Sequence, residues 1–270
     1  NSVTQLAAFE FAATHASQAV RHLIEGLEPG ITELQAVQRM GLNGLPLAAH
    51  LMFSTGPRSR LGLPSPSQRT IRHGDPFFTA LGLRGGLSAR GGFVVAGASE
   101  LPAGNAEYLS RVVEPYFSAM VAWYESLGLG VTGGQVQVAV DEAFAGGPMR
   151  PALNPGHLIH LDEWVHSPVY PGSGIALRSG MLIQCDIIPV VEADFHTTNA
   201  EDTVALADEP LRERLARDYP EVWARVEARR AFMGGVLGIR LRPEVLPFSN
   251  LAGALQPFAL SPHLAMAAVG

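Results

Sequence analysis

A chain of 270 residues with 47% apolar and 16% charged side chains can bury a full core, which excludes a disordered or fibrous protein. Its net charge of −6, a pI near 5.8 and the lack of any basic run argue against nucleic acid or an anionic membrane as partner. The one cysteine, Cys185, rules out an intrachain disulfide and fits a reducing, cytoplasmic setting, and no apolar run reaches the ~18 residues that cross a bilayer.

The chain opens at Asn1, without methionine and directly on a helical pattern, so an upstream segment is expected. Leu6, Phe9, Ala13, Ala16, Val20 and Leu23 recur at helical spacing and predict an amphipathic helix over 4–26, broken by Pro29-Gly30. Thr32 with Gln35 is a capping-box pattern that opens a second helix. Residues 43–75, rich in Gly, Pro and Ser, predict loop with a short strand at 51–54. Strands follow at 76–83 and 87–96 around Gly85-Gly86, then helices at 104–127 and 133–145. Leu27, Gly30, Thr32 and Gln35 recur as Leu127, Gly130, Thr132 and Gln135, each set between a long helix and a capped one, which suggests two related halves. The apolar run Gly180–Pro189 has strand length and holds Cys185 as a small buried residue. Two more strands are expected over 190–206 around Asn199, then charged helix over 209–237 interrupted at Pro220. The last 30 residues, with Pro243, Pro247, Pro257 and Pro262, predict irregular chain wrapped on the surface. This order of elements suggests an α+β fold.

The densest chemistry lies between Gly156 and Pro168, where His157, His160 and His166 stand with Asp162 and Glu163 inside ten residues. Histidine titrates near neutral pH and serves as proton carrier or metal ligand. Asp162 and Glu163 read as solvated loop acids or partners for a histidine. Trp164 reads as packing or a pocket wall. His196 is a lesser site candidate, and His50 and His73 read as peripheral.

Five stretches in order resemble the creatinase, Xaa-Pro aminopeptidase and methionine aminopeptidase family. Leu27 to Gln35 resembles its PG-x-TE junction, and Gly74-Asp75 through Gly82 its first ligand strand. Gly156 to Leu161 resembles GHGIGL, Gly180 to Asp186 resembles GM-x-x-x-x-E, and Glu201 to Val204 resembles ED-T-V. The resemblance runs from residue 5 to about 207. It implies the pita-bread fold, a curved antiparallel sheet with outer helices in two pseudo-symmetric halves. It further implies one domain over 1–270, with a family core to 207 and an extension over 208–270. A smaller N-terminal domain often precedes that core, and the resemblance implies a homodimer.

That family holds two divalent metals on Asp, Asp, His, Glu and Glu. Residue by residue, His157 matches the histidine, Asp186 the first glutamate and Glu201 the second. The first aspartate falls on Ala80 and the second on Arg90 or Gly91, none of which ligates a metal. A two-metal centre is therefore not expected; if one metal binds, its ligands are His157, Asp186 and Glu201. The loop after the first strand, Thr55 to Pro64, lacks the family's histidine, and the position seven residues after His157 is Trp164. His160 and His166 are this chain's own additions and candidate catalytic groups. Arg90 is expected to enter the old metal site and pair with Asp186 and Glu201. The favoured activity is hydrolysis of a C–N bond in a small amino-acid-, peptide- or guanidino-type substrate with no cofactor or at most one divalent metal. A single-metal Xaa-Pro peptidase and a catalytically inactive binding protein stay open beside it.

Overall fold

The computed structural model describes residues 1–191 and 196–268. The first helix, α1 (Val3–Glu25), buries Leu6, Phe9, Ala13, Ala16, Val20 and Leu23, the periodic positions of the sequence. After α2 (Glu33–Gln38) come β1 (Met52–Thr55) and the hairpin β2 (Pro76–Leu83) and β3 (Gly86–Phe93). The tight turn suits Gly85, whose φ of 107° side-chain-bearing residues avoid, and at Gly86 a Cβ would come within 2.5 Å of the Ala13 backbone of α1. A π-helical turn at Leu109–Val113 leads into α3 (Glu114–Ser126), so the helix expected from 104 starts later than its periodicity suggested.

The second half continues with α4 (Gly133–Phe144), β4 (Met149–Pro151), β5 (His157–Leu158), β6 (Leu182–Asp186), β7 (Pro189–Val191) and β8 (Asn199–Leu206). Part of the strand pair expected over 190–206, residues 192–195, lies outside the described residues. Helices α5 (Glu209–Asp218) and α6 (Pro220–Gly235) part at Pro220, which takes a first-turn position where its missing N–H costs nothing. Last comes β9 (Val245–Pro247).

Among the described residues, seven strands form one antiparallel sheet in the order β1-β2-β3-β8-β6-β5, with β9 paired to β8; β4 and β7 form a separate pair. The repeat is visible in the backbone. Thr32 and Thr132 each cap their helix with a reciprocal box to Gln35 and Gln135. Each then makes an antiparallel bridge to a later loop, Thr32 with Thr70 and Thr132 with Ala176.

Helices α1 and α2 share a buried cluster with Phe53, Phe77 and Leu81, and α3 and α4 share one with Ile183, Cys185, Ala200 and Val204. A third cluster joins the start of α1 and helices α5 and α6 to Leu87, Ala89, Leu182 and Ala205. The final segment does more than wrap the surface. Leu251, Leu255 and Phe258 are buried, Phe93 N–H donates to the Pro257 carbonyl (2.9 Å), and Ala259 N–H donates to that of Phe93 (2.9 Å). Its prolines end regular structure without keeping its apolar residues from the core. No helix among the described residues is long and apolar enough to cross a membrane.

Candidate functional site

Residues paired directly across antiparallel strands share a face, as do alternate residues along one strand. Ala80 pairs with Ala89, Ala89 with Glu201, Glu201 with Asp186, and Gln184 with His157. Phe78, Gly91 and Asn199 form the next row. One face thus carries His157, Gln184, Asp186, Asn199 and Glu201 together with Ala80 and Gly91. The same register turns Gly91 toward the acids and Arg90 away from them.

Arg90 accordingly corrects the expectation placed on it. Its guanidinium, 1% exposed, donates to Asp202 Oδ2 at 2.8 Å and to the carbonyls of Ala89, Glu201 and Leu251 on the opposite side of the sheet. Ser249 and Ser88 hydroxyls complete the shell of Asp202. Arg90 answers a buried acid next to Glu201 in sequence, and strand alternation keeps it from the carboxyl groups of Glu201 and Asp186.

His157 is the centre of the acidic face. Its Nε2 lies 3.2 Å from Glu201 Oε1 and 3.8 Å from Asp186 Oδ2, and Nδ1 lies 3.2 Å from the Leu158 carbonyl. The backbone is set for this. Gly156 has a φ of 119°, and a Cβ there would come within 2.8 Å of the Gln184 carbonyl. Trp123 Nε1–H holds the Pro155 carbonyl at 2.7 Å, and the Ser167 hydroxyl holds that of Gly156 at 2.6 Å. Burial works against the His157 cation, but the Glu201 hydrogen bond and the charges of Glu201 and Asp186 outweigh it and raise the ring from 6.5 to about 9. Burial and the neighbouring Glu201 push the Asp186 carboxyl well above the usual range, with His157 opposing. The same two causes raise Glu163.

Glu163 is brought to the site by the loop after β5. Among the described residues, His157, Glu163 and Glu201 offer ligand atoms that all lie within 4.8 Å of one another. Trp164, 55% exposed, stands over His157 with ring centroids 6.1 Å apart. Beside these groups is a cavity of about 310 Å³ that Glu163, Asp186, Asn199 and Glu201 also line. Its apolar wall is Met52, Leu63, Phe78, Ala80, Leu87 and Ile188. Gln184 donates from Nε2 to Glu201 Oε1 and to the Leu87 carbonyl, both at 3.2 Å. Among the described residues, three buried acceptors on this face have no hydrogen-bond partner: Gln184 Oε1, Asp186 Oδ1 and Asn199 Oδ1.

The other histidines are elsewhere. His160 stacks edge-on against Phe9 of α1 and bonds Asn1 Oδ1 at 3.0 Å. His166 is exposed, and it is its carbonyl that accepts from Leu158 N–H. Neither joins His157, because β5 ends at Leu158 and the chain turns away with its return strand paired through backbone only. His196 is buried next to Phe93 in a separate pocket with Asp75 and Asn105, and burial, then Arg60, lowers its ring to about 4. His50 and His73 are exposed. Cys185 is buried, and burial pushes its thiol well above the usual range, as a packing residue requires.

Sequence reading gave no site role to three residues, Gln184, Asn199 and Glu33. Gln184 and Asn199 each stand two positions before an acid on a strand, a spacing that puts them on the acid's face. Of the two acids read as loop acids or partners for a histidine, Glu163 is the one grouped with His157. Glu33, fully buried, accepts from Thr55 N–H (2.7 Å), Ser67 N–H (2.9 Å), both hydroxyls and Arg58. It thereby pins both ends of the loop that brings Leu63 to the cavity.

No protein-family model matches the sequence, and no curated protein matches it. Solved structures do match in fold. The Xaa-Pro dipeptidase from Bacillus anthracis superposes with a TM-score of 0.62 at 19% identity, over 76% of this chain and 59% of that one. The prolidase from Pyrococcus horikoshii gives 0.60 at 23% identity, over 76% and 59%. Methionine aminopeptidase from Thermotoga maritima gives 0.58 at 16% identity, over 77% and 94%. The chain spans less than two thirds of the length of the dipeptidase and the prolidase. The fold of this chain is the pita-bread fold of these peptidases, α+β with a curled antiparallel sheet.

Proposed function

We propose that the chain is a hydrolase that cleaves a C–N bond in a small peptide- or amino-acid-type substrate at His157, Glu163, Asp186 and Glu201. The observation that carries the reading is the imidazole–carboxylate group set beside an apolar cavity, on a fold whose solved neighbours are named as peptidases. The charged His157 ring protonates the leaving nitrogen, and Glu201 holds that proton in line until it is needed. Glu163, with its raised carboxyl, takes the proton of the attacking water. Asp186, driven toward its neutral form, adds a second proton donor. Trp164 packs against the His157 ring.

Two metals do not fit this donor set, because Ala80 and Gly91 occupy ligand positions and carry no ligand atom. A single divalent ion would be held by His157, Glu163 and Glu201, and when bound it supplies an activated water. Glu163 rather than Asp186 completes that set.

The test is hydrolysis of a panel of dipeptides, amino-acid amides and guanidino compounds, with product amine quantified. Turnover is expected to fall about 10²- to 10⁴-fold in His157→Ala, the usual cost of losing an acid–base group, and to stay unchanged in His160→Ala and His166→Ala. Equal turnover in wild type and His157→Ala would remove the reading.

A further inference from the structure

We infer that Gln184 is a positioning residue: its side-chain amide fixes Glu201 Oε1 against His157 and thereby turns Oε2 toward the cavity. The inference deepens the proposed hydrolase by adding a residue that acts through Glu201, and it rests on that reading only for the effect on turnover.

The sheet puts Gln184 where it can do this. On β6 it pairs with His157 of β5 on one side and with Thr203 of β8 on the other, and it is fully buried. Its Nε2 donates to Glu201 Oε1 on β8 and to the Leu87 carbonyl on β3, both at 3.2 Å. Leu87 is held in turn, because its N–H donates to Thr203 Oγ1 at 3.2 Å. The neighbours dictate which way the amide points. Exchanging its oxygen and nitrogen would set Gln184 Oε1 against two acceptors, the Glu201 carboxylate and the Leu87 carbonyl.

That orientation leaves Gln184 Oε1 buried without a donor. Such an atom is costly, and a methionine or a leucine would fill the space without it. What an apolar residue cannot supply is the donor to Glu201. His157 Nε2 approaches the same carboxylate oxygen, also at 3.2 Å. The terminal torsion of glutamate is soft, so a carboxylate held by one donor pivots about it. Two donors on one oxygen, from different strands, stop the pivot, and hydrogen bonds to a charged acceptor are the stronger kind. With Oε1 taken twice, Oε2 is the oxygen that Glu201 offers to the cavity it lines. In the proposed reaction this keeps the His157 Nε2–H in one direction and leaves Oε2 to meet a donor of the substrate. Gln184 does not line the cavity, so its effect passes through Glu201.

The test compares the wild-type chain with Gln184→Met, which keeps the volume and removes both donated bonds. Gln184→Thr replaces it if melting curves show that the methionine variant does not fold. In crystal structures the wild-type Glu201 carboxylate is expected in one orientation, with Oε1 on Gln184 and His157. In the variant it is expected to turn, or to split between two orientations, with Oε1 leaving His157. Proton–nitrogen NMR reads the same event in solution: the His157 Nε2–H signal shifts or broadens, and the ring signals of His160 and His166 stay. On the best substrate of the hydrolysis panel, kcat is expected to fall about 10- to 100-fold, the usual effect of removing a partner that orients an active group, with KM within about twofold. A Glu201 carboxylate in its wild-type position in the variant overturns the inference, and an unmoved His157 signal does the same. So does a raised KM with kcat kept, which would make Gln184 a substrate contact. The two readings fail separately. If no compound is turned over, the hydrolase falls, and the crystal structures and the NMR signal still decide the role of Gln184. If wild type and variant turn substrate over equally, the positioning role falls and the hydrolase stands.

Discussion

Replacing Glu201 with Gln removes the charge that holds the His157 proton while keeping a side chain of the same shape. In the wild type that proton is held by a carboxylate oxygen 3.2 Å from Nε2, with Asp186 at 3.8 Å. The rise from 6.5 to about 9 corresponds to about 3 kcal/mol of preference for the charged ring. Burial acts the other way and is unaltered by the substitution. The ring in Glu201→Gln is therefore expected to titrate at or below its ordinary value. The sign for stability follows from linkage. A group whose folded pKa lies above its unfolded one stabilises fully below the unfolded value. Here that support is present below pH 6.5 and is lost as pH rises through about 9. Wild type should lose up to about 3 kcal/mol across that window, and Glu201→Gln much less. Carbon-detected NMR titration of the histidine rings reads the first quantity, and urea unfolding at the two ends of the window reads the second. A His157 midpoint that stays near 9 in Glu201→Gln would refute the assignment of Glu201 as its counter-ion.

Two further substitutions test the scaffold around the site. Arg90→Met leaves Asp202 buried and unpaired and is expected to cost about 3–5 kcal/mol in urea unfolding, with the double variant Arg90→Met/Asp202→Leu recovering much of it. Full stability in the single variant would mean that the pair carries no weight. Glu33→Gln breaks the charged bonds to Arg58, Thr55 and Ser67 and is expected to cost about 3 kcal/mol and to raise proteolytic nicking between 56 and 67. Unchanged protease sensitivity would show that this loop is held by something else.

The legibility of the sequence varied with the range of the physics involved. Helix α1 was readable because six apolar side chains at helical spacing have one arrangement that buries them all. The repeat was readable because a capping box is local: Thr32 and Thr132 meet their glutamines three residues on. The identity of His157, Asp186 and Glu201 as one group followed from the motifs. What failed depended on facing, which is set by pairing between strands far apart in sequence. Arg90 and Gly91 are adjacent, and nothing local decides which of them looks at Glu201; the pairing of Ala89 with Glu201 does. His160 and His166 were drawn to His157 by proximity in sequence, and the turn after Leu158 separates them. Glu163 travelled the other way, carried to Glu201 by a loop whose path has no periodic signal. The last thirty residues misled because proline count reports on regular structure, and burial depends instead on Leu255 and Phe258.

The two positions where the resemblance expects aspartates, Ala80 and Gly91, have different surroundings. At Gly91 a Cβ would lie 3.3 Å from the Asn199 amide nitrogen and 3.4 Å from the Phe77 carbonyl, so β2, β3 and β8 leave little room for a side chain there. At Ala80 the side chain opens onto the cavity, next to Met52 and Phe78. Gly91 is thus hemmed in by backbone, and Ala80 is part of an apolar wall. An aspartate at Ala80 would add a carboxyl to a face that already holds three carboxyl side chains and one imidazolium, and it would meet no partner from Gly91. The acids that remain are balanced without it: Glu201 by His157, and Asp186 by its rise toward the neutral form. The acidic face is therefore arranged around one cationic ring, and the cavity beside it is polar at Asn199 and hydrocarbon at Phe78 and Ala80.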